Sequence, residues 1–202
     1  MPKRAPFVFT AVVKLFAVSL LAVALHAVPL RAAEPKEKEW TEKKHLQVAG
    51  QPLGKDLAKR GDEVYRFMLT DAGLTSSDIV VVARHGTEYT LSSAEVDLHA
   101  YYGADGKDGG GKEGVEKTER KLTAEEWNAI TARFKTLDFW KMPDPEPRLV
   151  LDGTIWTLEA AAGKQYRAVT IHAPDAGPFR AAGLQLWRTS GRFMGFWADL
   201  KE

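Results

Sequence analysis

Between Leu122 and Gly191 the hydrophobic positions keep a helical period, then a strand period, then a helical period again. In LTAEEWNAITARFKTLDFW, Trp127, Ile130, Phe134 and Leu137 recur at steps of three, four and three, which sets them on one helix face. Thr123 precedes the run as a cap, with its hydroxyl placed to accept from the free N–H groups of the first turn. Glu126, three residues on, completes a capping box, and Leu122 and Trp127 have the spacing of a hydrophobic staple. Pro143, Pro145 and Pro147 end any continuation. An aromatic stripe at this spacing reads as core rather than cofactor pocket.

The next stretch, LDGTIWTLEAAAGKQYRAVTIHAP, alternates with period two on both sides of Ala162, Gly163 and Lys164, the signature of a hairpin. Two-residue closure puts Trp156 and Leu158 on one face with Val169 and Ile171. Thr157, Glu159, Tyr166, Thr170 and His172 then fall on the other, and three-residue closure would mix the two sets. A last helix begins near Pro178, carries Phe179, Ala182, Leu186 and Trp187 on one side, and stops at Gly191.

Upstream, EVYRFMLT alternates Tyr65, Phe67 and Leu69 against Val64, Arg66 and Met68, and reads as a strand. DIVVVARHGTEYTLSSAEVDLHAYY reads as two more strands turning near His85-Gly86, or three with a further turn at Ser92-Ser93. Residues 103–114 are a glycine-rich flexible loop. Residues 33–62 read as a charged tether and irregular lead-in, with one helical turn at Asp56–Arg60. Runs of strands with interposed helices predict an α+β domain over 63–202: a single antiparallel sheet of about five to six strands with two helices packed on one face, in the order β-β-β-β-α-β-β-α.

The amino terminus changes the address. Lys3, Arg4 and Lys14 precede the largely apolar run Leu15–Leu25, and small residues follow at Ala27, Ala32 and Ala33. That is the pattern of a signal peptide over 1–32, cleaved after Ala27 or Ala32, and it predicts a periplasmic or extracellular protein without a membrane span once the signal is removed. Those 32 residues hold four of the 28 basic residues and no acid, so the remainder carries 24 basic against 27 acidic residues, a net −3. No basic stripe appears, which argues against a nucleic-acid partner. The chain has no cysteine, so disulfides, thiol catalysis and lipid attachment at cysteine are excluded.

Catalytic motifs are absent. There is no G-x-S-x-G and no H-E-x-x-H, and no two of His45, His85, His99 and His172 lie at helical ligand spacing. Gly106–Lys112 imitates part of a phosphate-binding loop, but Glu113 stands where Ser or Thr would hold magnesium. Asp105 and Asp108 suggest calcium, but Lys107 occupies a ligand position. Asp97 and His99, two apart, read as one polar strand face. No metal, cofactor or catalytic residue is assigned. The candidate contact surface is the polar face of the hairpin, Glu159, Tyr166 and His172, with Arg167 near the edge of the apolar face. The aromatic end, Phe193, Met194, Phe196 and Trp197, either docks on the core or binds a partner.

The pattern D-G-x-x-W-x-L-E, then G-x-x-Y-R, then P-x-x-G-P resembles a group of uncharacterised exported bacterial proteins that share a domain of unknown function. It is carried by Asp152, Gly153, Trp156, Leu158, Glu159, Gly163, Tyr166, Arg167, Pro174, Gly177 and Pro178. The resemblance implies one α+β domain behind a signal peptide and brings no activity with it. The sequence therefore favours a non-catalytic binding or interaction domain of the cell envelope, with another envelope protein or a small polar ligand as partner. An envelope hydrolase using Glu159, Tyr166 and His172 is the alternative.

Overall fold

The strand Glu63–Asp71 (β1) is buried along nearly its whole length because it sits inside the sheet and is covered on both faces. The computed structural model describes residues 35–71, 73–102, 114–145 and 153–191. Five further strands complete the sheet: β2 (Ser76–His85), β3 (Glu88–Asp97), β4 (Val115–Lys121), β5 (Thr154–Ala162) and β6 (Gln165–His172). All pair antiparallel, in the order β4-β3-β2-β1-β5-β6. The first four strands run as a meander, and the chain then returns to the free side of β1 as the β5–β6 hairpin. This is the α+β class and the single antiparallel sheet expected from the sequence.

One face is closed by the two helices expected there. Thr123 caps α3 (Ala124–Thr136): its hydroxyl accepts from the Glu126 N–H, while the Glu126 carboxylate accepts from the Thr123 N–H. Trp127, Ile130 and Phe134 of α3, and Phe179, Ala182, Leu186 and Trp187 of α4 (Pro178–Thr189), pack on Tyr65, Phe67, Leu69, Val80, Val82, Trp156, Leu158 and Val169. These are the positions that the two periodicities select.

The opposite face is covered by the segment read from sequence as a tether. Pro35–Val48 is a helix (α1), and at its carboxy-terminal end His45, Leu46 and Ala49 are buried. A 3-10 helix, Gly54–Arg60, adds Leu57. Together they cover Val64, Met68, Ile79, Val81, Ala83 and Ala161. The difference has a plain cause: apolar residues in this lead-in are few and come late, so its mean character is polar although a few positions anchor it. The single helical turn expected at Asp56–Arg60 lies within the 3-10 helix.

A second difference concerns Asp97 and His99. β3 ends at Asp97, whose carboxylate accepts from the Ala100 N–H at 3.0 Å and starts the short helix α2 (Leu98–Tyr102). His99 is therefore helical, and the two side chains do not share a strand face. The expected signal over 1–32, the loop through residue 113 and the aromatic end beyond Gly191 lie outside the described residues.

Candidate functional site

The hairpin that carries the candidate residues closes in two residues. Gly163 takes φ +57, while Lys164 keeps an ordinary negative φ, the pattern of a turn with glycine at its first central position. The register then pairs Trp156 with Ile171, Leu158 with Val169, and Ala160 with Arg167 on the α3/α4 face. Thr157 with Thr170, Glu159 with Ala168, and Ala161 with Tyr166 fall on the other. This is the partition expected for two-residue closure.

The face that carries Glu159 and Tyr166 is not open. Glu159 stands directly across from Arg66 of β1, the two form an ion pair, and they are 4% and 1% exposed. The second guanidinium nitrogen of Arg66 donates to the Pro52 carbonyl at 2.5 Å, and the Tyr166 hydroxyl donates to Glu159 Oε1 at 2.9 Å. Burial first, and then the Glu159 charge, push the Tyr166 phenol well above the usual tyrosine range. The resulting network locks the lead-in segment onto the sheet.

His172 does not join it. It faces Ile155, four positions along β6 from the Ala168 that faces Glu159, which separates the two by about 13 Å at the usual strand rise. The Thr157 and Thr170 hydroxyls meet between them at 3.0 Å. Arg167 points to the opposite face, where it donates to the Met142 carbonyl and pairs with Asp144 at 3.0 Å, holding down the exit of α3. Of the four candidates, then, the structure brings only Glu159 and Tyr166 together.

Tyr166 and Arg167 also border a feature that sequence reasoning missed. With Lys55, Trp140, Lys164 and Gln165 they line an open hollow of about 390 Å³ beside the hairpin turn. Trp140 reaches it through the backbone. After α3 ends, Asp138 adopts φ +48, a conformation Asp tolerates, and the next two side chains part: Phe139 enters the core at 1% exposed and Trp140 turns out at 36%. Among the described residues Trp140 is the one large hydrophobic side chain this exposed. Lys55 and Lys164 are exposed and have no ion-pair partner among the described residues. A periodic pattern gives no sign that Lys55, Trp140 and Lys164 meet, because they come from a 3-10 helix and two separate turns.

A second groove, of about 500 Å³, includes Lys59, Arg60, Glu119, Arg120 and Lys121. Its charge is largely answered locally: Lys59 pairs with Asp56 at 2.9 Å, Lys121 with Glu88 at 3.1 Å and Arg120 with Glu126 at 2.7 Å. At the β6 hollow, by contrast, Lys55 and Lys164 have no ion pair among the described residues. Among the described residues no cluster of three His, Asp or Glu side chains is placed to hold a metal, and no helix is long and apolar enough to cross a membrane. No protein-family model matches the chain, and no curated protein matches it.

Proposed function

We propose that the protein is a non-catalytic binding domain of the cell envelope, exported by its leader, which makes contact through the β6 edge beside the hairpin turn. The observation that carries this reading is the use of Glu159. Its carboxylate is held by Arg66 and Tyr166 beneath the lead-in segment, so the hairpin presents no acid for proton transfer. What it does present is an indole, a primary amide and three cations around a hollow. Fixed walls with a few polar groups suit recognition. The hydrolase alternative needs Glu159, Tyr166 and His172 to converge, and the register keeps His172 apart.

The test is affinity capture from the envelope fraction with the full chain as bait, comparing wild type with Trp140→Ala and Lys164→Glu. Lys164 is exposed and Trp140 packs on the core through the edge of Phe139, and circular dichroism of both variants checks that the fold is kept. Loss of the captured species with either variant is the expected result. Capture unaffected by both, together with turnover of ester or glycoside substrates that Glu159→Gln abolishes without unfolding, would overturn it.

A further inference from the structure

We infer that the hollow beside β6 takes a small ligand made of one ring with an apolar face, aryl or glycosyl, bearing an anionic group, the ring lying on Trp140 and the acid between Lys55 and Lys164. This rests on the reading above that the β6 edge is a contact surface, and it gives that surface a ligand class. Either half of the site alone would be ordinary, since solvated lysines and a part-exposed indole are common on surfaces. Here they line one concavity, together with Arg167 and, among the described residues, without a carboxylate in the lining. Asp144, which neutralises Arg167, is itself 90% exposed and lies outside that lining. Two ammonium groups without counter-ions among the described residues make a local positive field that an anion would relieve. The indole adds a flat apolar wall on which a ring can stack.

The rest of the wall is pre-organised. The Tyr166 hydroxyl is fixed by Glu159, and Arg167 is fixed by Asp144 and the Met142 carbonyl. Groups already held in place lose little freedom on binding, which favours recognition over a passive charged patch. Gln165, exposed at the rim, supplies both a donor and an acceptor to orient ring substituents. At about 390 Å³ the hollow lies at the small end of ligand sites, a size that fits one ring with its acid.

The experiment follows the tryptophan indole N–H resonances of the full chain by NMR, with phenyl phosphate, glucose 6-phosphate, inorganic phosphate and phenol as probes. The Trp140 resonance is assigned by its loss in Trp140→Phe. A ring phosphate should shift that resonance and bind about tenfold more tightly than either inorganic phosphate or phenol. The double variant Lys55→Gln/Lys164→Gln should lose about tenfold and most of the salt dependence. Preference for phenyl phosphate would assign an aryl ring, and preference for glucose 6-phosphate a glycosyl ring.

Equal binding of ring phosphate and inorganic phosphate would overturn the role of Trp140, and equal binding of phenyl phosphate and phenol that of the lysines. No shift with any probe would overturn the ligand class. If Trp140→Ala still abolished envelope capture in that case, the contact surface would stand with a polypeptide partner. Probe binding combined with capture indifferent to Trp140→Ala would instead remove the partner surface and leave the ligand site.

Discussion

Arg66 and Glu159 face each other across β1 and β5 as direct register partners, ion-paired with 1% and 4% of their surfaces exposed. Such a pair contributes little net stability compared with apolar residues, but breaking it leaves a charge buried without its partner. Glu159→Ala and Arg66→Ala should each cost about 3–5 kcal/mol. The volume-matched double change Arg66→Met/Glu159→Leu should cost much less than the sum of the two single changes. Chemical denaturation of the four proteins measures this. Additive costs would mean that the two charges act independently.

The network extends to the half-buried Tyr166, and a second phenol, the buried Tyr65, donates to Glu63. Burial comes first for both in raising the phenol above its usual 10.0, and the adjoining carboxylates add to it. A raised folded pKa means that the folded state keeps its proton after the unfolded state has lost it. The associated stability is therefore complete below pH 10.0 and is lost as pH rises beyond it. In an alkaline titration followed by tyrosinate absorbance, at least two of the five tyrosines should ionise only at or beyond unfolding. Tyr166→Phe should remove one of these late steps and cost about 1–3 kcal/mol at neutral pH, because Glu159 loses a donor.

The parts of the fold legible in the sequence were those where local chemistry and periodicity agree. Thr123 and Glu126 announce the start of α3, the steps from Trp127 to Phe134 select its buried side, and Gly163 fixes the hairpin register. The second face had a signal that an alternating reading passes over. The unbroken run from Ile79 to Ala83 is apolar at every position, and Val64 and Met68 flank Arg66 on its own face. A strand apolar on both sides is covered on both sides, which would have marked Arg66 as buried and in need of a partner. Its partner Glu159 was placed on the correct face but read as a surface group, because a sequence does not state what covers a sheet. The β6 hollow had no comparable signal. Its lining depends on the positive φ of Asp138 and on the 3-10 helix bringing Lys55 near the hairpin turn.

His45 makes the attachment of α1 sensitive to acid. The imidazole is fully buried, its Nε2 lies 3.1 Å from the Leu74 carbonyl, and its Nδ1 has no hydrogen-bond partner among the described residues. Desolvation lowers its pKa from 6.5, outweighing the opposing effects of the Leu74 carbonyl and the Asp71 charge. A histidine held neutral in the fold is protonated first in the unfolded chain, so its stability is complete above pH 6.5 and declines as pH falls below it. The slope reaches at most about 1.4 kcal/mol per pH unit. His45→Gln keeps a donor for Leu74 and cannot titrate, so its thermal midpoint should fall less than that of wild type over the first pH unit below 6.5. Parallel curves for the two proteins would assign the acid sensitivity elsewhere.

Gly183 sets two known effects against each other, and their sizes decide the outcome. It lies inside α4, where alanine is favoured over glycine by about 1 kcal/mol. A Cβ at this position would sit 3.0 Å from the Phe67 ring and 3.0 Å from two atoms of the Trp156 ring. Neither ring has room to yield. Both are essentially fully buried, they pack against each other with centroids 5.2 Å apart, and the Trp156 indole N–H donates to the Thr154 hydroxyl at 2.6 Å. Overpacking a core of this kind costs about 1–3 kcal/mol, enough to cancel or exceed the helix gain. Gly183→Ala should therefore unfold at lower denaturant than wild type, with an unchanged slope. An exposed control on the neighbouring helix, Lys135→Ala in α3, should leave the midpoint nearly where it was. A more stable Gly183→Ala would mean that α4 can back away from the sheet, and that its close approach to Trp156 is not what holds this face of the core together.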